Sequence, residues 1–240
     1  MEKLAEYCRK LRLGGDILRE FENIDFIDKK DYLTKVLECS VVAQDIRKKN
    51  ARIRDARFDV IKTFEGYKFD EIQLSDKITE EGIKNCEFID KIENLVLYGP
   101  SGRGKTHLAT AIGVEACNRN KKVRFFKVSN LINELVEAHE KGKLGYYLKT
   151  LKKYDLLILD ELGYIPIGEK GSELFFQVIA DCYERKSLII TTNIEFSKWV
   201  GIFMDKKITS AILDRIIHHG HLLIFTGTNW RMENAISKTK

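Results

Sequence analysis

The chain has 240 residues, 44% of them hydrophobic and 32% charged, with a net charge of +5 and a pI near 8.8. That length can bury a core, as one large domain or one domain with a smaller appendage, and the mild basicity falls well short of a polycationic tail. Five scattered cysteines (Cys8, Cys39, Cys86, Cys117, Cys182) without CxxC spacing argue against a disulfide framework or a zinc site, and no apolar run reaches the ~18 residues of a membrane span.

The N-terminal stretch carries acids and has no apolar signal-peptide core, so the expected setting is cytoplasmic, with no membrane partner. Residues 1 to about 65 predict a small helical region, with periodic apolar positions such as Tyr32, Leu33, Val36 and Leu37 and little strand signal. Its end is basic: residues 47–62 hold seven lysines and arginines against Asp55 and Asp59. Arg47, Lys48, Lys49, Arg52, Arg54 and Arg57 are spread around a helix without aromatics between them. That pattern fits a solvated face or a phosphate-contacting surface, more than base reading.

From residue 66 to 240 the pattern changes. Strand-length apolar runs (95–98, 123–128, 156–159, 187–192 and 222–225) alternate with helical stretches, which predicts βαβ units around a mostly parallel sheet, an α/β fold. The first run leads into Gly99-Pro100-Ser101-Gly102-Arg103-Gly104-Lys105-Thr106, the G-x-x-x-x-G-K-[ST] pattern. Its glycines let successive N–H groups face phosphate oxygens, and the following helix aims its positive end at the same anions. Lys105 is placed to reach the β/γ-phosphates and Thr106 to ligate Mg²⁺, so ATP with Mg²⁺ is expected here. His107 is expected to pack against the loop as part of the nucleotide-binding stretch 99–107, without a catalytic role.

The run "DLLILDELGYIP" ends its strand in Asp160 and Glu161. Ligands of open α/β sheets bind at such strand tips, so Asp160 is expected to hold Mg²⁺ and Glu161 to act as general base on water. The run "SLIITTNIEF" ends in Asn193, either a sensor of the γ-phosphate or a turn cap. Arg215, inside an otherwise apolar helix, is either a snorkelling arginine or an arginine finger for a neighbouring subunit. His218, His219 and His221 crowd together, but spacing offers them no metal-binding partner. They are expected to join a helix to the last strand.

Taken in order, "LVLYGPSGRGKTHLATAIG", "LLILDELGYIP", "LFFQVIADCYERKSLIITTNIEFSKW" and "ILDRIIHHGHLLIFTG" resemble the IstB-like ATPases over about residues 31–231. These are transposition helper proteins, related to the DnaC helicase loaders within the AAA+ class. The resemblance implies a three-layer AAA+ P-loop fold, ATP-dependent oligomerisation on double-stranded DNA, and service to a transposase. It matches Gly99, Gly104, Lys105 and Thr106 to Walker A, Asp160 and Glu161 to Walker B, Asn193 to sensor 1 and Arg215 to the finger acting in trans. Arg103 departs from the small or apolar residue usual at that variable position, and "GTNWRMEN", with Arg231, departs from the "SYR"-like ending of relatives. No C-terminal helical lid is expected, so a neighbouring subunit would close part of the pocket. The alternative partner is a replicative helicase, as for a helicase loader. A GTPase is disfavoured by the lack of NKxD, and a small-molecule kinase by a water-activating Glu161 beside Asp160.

Overall fold

The computed structural model describes all residues except 1, 12, 14, 16, 228 and 230–240. They fall into two compact units, residues 1–52 and 53–240.

The first unit is helical: α1 (Glu2–Lys10), α2 (Ile17–Glu20) and most of the long α3 (Lys29–Ala56), whose last turn belongs to the second unit. The start of α3 is fixed by reciprocal capping. Asp28 Oδ1 accepts from the Asp31 N–H at 2.8 Å, and Asp31 Oδ2 accepts from the Ile27 N–H at 3.0 Å, using donors that a helix leaves unpaired. The bond from the Ile27 N–H, with Lys35 beside it, holds the Asp31 carboxyl below its ordinary range.

In the second unit the elements run β1 (Ile72–Gln73), α4 (Glu80–Lys84), α5 (Glu87–Asp90), β2 (Asn94–Tyr98), α6 (Lys105–Asn118) and β3 (Val123–Lys127). Then come α7 (Val128–Glu140), α8 (Leu144–Leu151), β4 (Leu156–Leu162), α9 (Glu169–Cys182), β5 (Ser187–Thr192), α10 (Val200–Phe203), α11 (Lys206–His218) and β6 (Gly220–Phe225). The strands form one sheet in the order β1-β6-β2-β5-β4-β3, parallel except for β1. Parallel strands are covered on both faces, so the central strands β2 and β4 read as near-continuous apolar runs while their side chains alternate between two cores. Val96, Leu157, Leu159 and Ile190 face one core, with Leu131 of α7, Phe175 of α9 and Ile212 of α11. Leu95, Leu97, Ile158 and Ile189 face the other, with Leu108 and Ile112 of α6. The result is a three-layer α/β sandwich.

One buried polar side chain ties three elements together where β2 begins. Asn94 Nδ2 donates to the Ile216 carbonyl (3.1 Å) and its Oδ1 accepts from the Leu188 N–H (2.9 Å). A satisfied buried amide of this kind fixes register, because losing either partner would strand a polar group. It sets β2 against β5 and α11, and so sets where the loop after β2 emerges. No described helix is long and apolar enough to cross a membrane.

Candidate nucleotide site

The carboxyl ends of β2, β4 and β5 open on a cleft of about 700 Å³. Residues 99–104 form the loop between β2 and α6, and its residues 101–104 line the cleft. Gly99 has φ 150°, and a Cβ there would lie 2.5 Å from the Phe225 carbonyl oxygen. Gly104, the residue before α6, has φ 84°, in the left-handed region that favours glycine. The local sequence thus folds as a bare backbone loop feeding directly into a helix N-terminus.

Lys105 is 9% exposed, and its Nζ donates to the Gly99 carbonyl (2.5 Å) and the Pro100 carbonyl (2.7 Å). The ammonium is therefore held over the loop. Arg103 Nη1 donates to the Thr226 carbonyl at 2.6 Å, tying the loop to the chain leaving β6. His107 Nε2 pairs with the Thr63 carbonyl (3.0 Å), and its ring lies 4.9 Å from that of Tyr67. The Tyr67 hydroxyl in turn donates to the Gly104 carbonyl at 3.4 Å.

Asp160 is 1% exposed. Its Oδ1 accepts from the Thr106 hydroxyl at 2.9 Å and from the Thr191 hydroxyl at 2.5 Å. Burial pushes its carboxyl above the usual range, and those two hydroxyls partly offset the push. Glu161 is exposed into the cleft, with φ 61°. It sits in a β-bulge: Leu159 faces Ile190 and Leu162 faces Thr192, so β4 advances one residue more than β5. Bulges beside sites re-aim a side chain in this way. Asn193 lines the same cleft from the end of β5.

Residues 101–107, Asp160, Glu161 and Asn193 thus line one cavity, with Gly99 and Pro100 in the loop beneath. Arg215 is not in its lining. Its guanidinium lies 4.9 Å from the Phe176 ring and 5.9 Å from the Tyr183 ring, and Nη1 donates to the Ala211 carbonyl at 2.8 Å. Arg47, Lys48, Lys49, Arg54 and Arg57 are exposed and Arg52 half-buried. Arg231 lies outside the described residues.

The cleft holds residues that sequence reasoning missed. Lys127, at the tip of β3 in register with Asp160, pairs with Asp59 at 2.9 Å, and that pairing raises its ammonium above the ordinary range. Its position on a strand tip was the available signal. Thr191 had only the polar "TTN" ending as a signal, which drew attention to Asn193 instead. His218 and His219 do have a carboxylate neighbour, Glu184, with donor atoms within 4.8 Å of one another. All three are exposed, and none lines the cleft. In the cleft itself, the Thr106 hydroxyl and the Asp160 carboxylate are adjacent oxygen donors of the kind a hard divalent cation takes.

The model of the family described as "IstB-like ATP binding protein" matches residues 22–238. A protein of insertion sequence IS5376 from Geobacillus stearothermophilus, named for ATP binding, is 32% identical over 236 residues, 96% of this chain and 94% of that one. A similarly named protein of insertion sequence IS232 from Bacillus thuringiensis subsp. berliner is 43% identical over 154 residues. That match spans 64% of this chain and 62% of the relative. Among solved structures, AMPPCP-bound DnaA from Aquifex aeolicus is similar with a TM-score of 0.56 at 24% identity, over 74% of this chain and 54% of that chain. This likeness concerns the fold. The chain belongs to the IstB-like ATP-binding proteins of insertion sequences and has the AAA+ fold.

Proposed function

We propose that this protein is an AAA+ ATPase that assembles on duplex DNA with ATP bound and presents that DNA to the transposase of its insertion sequence. The observation that carries the reading is the hydrogen bond from Thr106 to Asp160. It joins the phosphate loop to a strand tip whose next residue, Glu161, faces the same cleft.

In this reading the N–H groups of residues 101–106 and the Lys105 ammonium bind the ATP phosphates. Thr106 and Asp160 hold Mg²⁺, which supplies charge neutralisation at the phosphates. Glu161 orients a water and takes its proton as the water oxygen attacks the γ-phosphorus, and ADP leaves. Asn193 contacts the γ-phosphate and the water, so that hydrolysis is reported to the end of β5. Arg215, outside the cleft lining, acts on a neighbouring subunit's ATP, which makes turnover depend on assembly.

The basic segment from Arg47 to Arg57 takes DNA phosphates, giving sequence-tolerant, salt-sensitive binding. Placement in an insertion-sequence family supports a transposase over a helicase as the partner. The test is ATP hydrolysis with Mg²⁺ and duplex DNA. Wild type should turn over, and Glu161→Gln should bind ATP but stay assembled on DNA; a variant that disassembles as fast as wild type contradicts the base assignment.

A further inference from the structure

We propose that Thr191 is a positioning residue for hydrolysis, holding the metal-side carboxylate and the catalytic base in one arrangement through a single hydroxyl. The inference rests on the ATPase reading above and adds to it a residue on β5.

Thr191 is 2% exposed, and its hydroxyl has two partners on consecutive residues of β4. It donates to Asp160 Oδ1 at 2.5 Å and accepts from the Glu161 N–H at 2.9 Å. A hydroxyl has one proton to give, and here it goes to the carboxylate. The bulge explains why one threonine meets both residues. Between the Leu159–Ile190 and Leu162–Thr192 pairs, β4 has two residues where β5 has one, and that one is Thr191.

Glu161 adopts a left-handed backbone here, φ 61°, which is a strained conformation for a non-glycine residue. Such a conformation persists only where its surroundings over-determine it, and the Thr191 hydroxyl supplies the partner for the displaced N–H. The same oxygen restrains the carboxylate that also meets Thr106. A shift of the Thr191 side chain would therefore move the base and the metal-side carboxylate together. Catalysis is more sensitive to such displacement than binding is, because an ångström at the reacting atoms can lower turnover ~100-fold.

The test uses the full chain with Mg²⁺, measuring steady-state ATPase and equilibrium ATP binding. Thr191→Val keeps shape and removes both hydrogen bonds. It should lower kcat by ~10-fold or more while ATP affinity changes less than about threefold. Thr191→Ser retains the hydroxyl and should stay within about threefold of wild-type kcat. In a Glu161→Gln background, adding Thr191→Val should cost less than it does in wild type, since part of its effect passes through that base and the rest through Asp160. Turnover of Thr191→Val within about twofold of wild type overturns the proposal. So does a Thr191→Ser protein that folds but loses turnover, which keeps the test valid should the valine variant not fold. A wild-type protein without ATPase activity would sink the hydrolytic reading as well, whereas an active wild type with an active Thr191→Val sinks only this inference.

Discussion

The Thr106 hydroxyl, in the first turn of α6, donates to the buried Asp160 carboxylate at the tip of β4 across 2.9 Å. Two segments 54 residues apart thereby present their oxygen atoms to one point in the cleft. Because burial raises the Asp160 carboxyl, its ionised form is disfavoured by the fold, and stability is surrendered there for chemistry. Asp160→Asn should consequently lose Mg²⁺-dependent turnover by ~100-fold or more while unfolding in urea at an equal or higher midpoint at pH 7. The gap in midpoint should close as pH falls toward the ordinary carboxylate range, where the raised group is already protonated. A lower midpoint at pH 7 would show that the charge stabilises the fold.

Gly99 cannot carry a side chain. A Cβ would stand 2.5 Å from the backbone oxygen of Phe225, and backbone cannot rotate away. Gly99→Ala should destabilise by about 2 kcal/mol or more through strain and displaced β6 packing. Urea unfolding followed by circular dichroism measures this, and an unchanged midpoint would mean the loop has room that its geometry denies.

Arg215 rests on aromatic faces outside the cleft, Phe176 at 4.9 Å and Tyr183 at 5.9 Å. Arg215→Ala should lose only about 0.5–1 kcal/mol of stability, and its ATP affinity as a monomer should match wild type. Its turnover in the assembled state should fall ~1,000-fold. Mixing it with a Glu161→Gln protein should restore activity, since each supplies what the other lacks across an interface. Failure of the mixture to regain turnover would argue against action in trans.

Burial pushes the Cys86 and Cys182 thiols up to about 12 from an ordinary 9.0. Both are neutral in the folded state at pH 8 and should resist a thiol reagent until unfolding, whereas half-buried Cys39 should react first. Between pH 9 and 12 the folded state keeps protons that the unfolded chain releases, so stability must fall as pH rises through that window. Rapid labelling of Cys86 in native buffer would contradict its placement.

The exposed Lys48 and Lys49 test the DNA surface. Replacing both with Glu should weaken duplex binding about equally across unrelated sequences. If each contacts one phosphate, the slope of log affinity against log salt should drop by about 2. An unchanged slope would move the DNA surface elsewhere.

The sheet was legible because parallel strands, buried on both faces, write themselves as apolar runs, as at Leu156–Leu159 and Ser187–Thr192. The phosphate loop was legible because its geometry is local: glycines, a lysine and a threonine within eight residues. The two-residue β1 was not, since it exists only by pairing with β6 more than 150 residues later. The contacts of Thr191 were hidden for a similar reason, as they depend on a bulge in the β4–β5 register that leaves no mark in composition. Glu184 beside His218 and His219, and Asp59 beside Lys127, are likewise products of topology. Arg215 could be singled out as a charge in an apolar helix, but its aromatic seat comes from α9, which only the packing of two helices brings near.

In the proposed function, ATP drives assembly of this protein on DNA. Sedimentation velocity of the protein with duplex DNA, run with ATP and Mg²⁺, with ADP, and without nucleotide, at low and high salt, measures that assembly. A large DNA-bound oligomer should form only with ATP and should dissolve at high salt. A monomer indifferent to DNA in every condition would contradict it and leave a nucleotide-binding switch without DNA in its place.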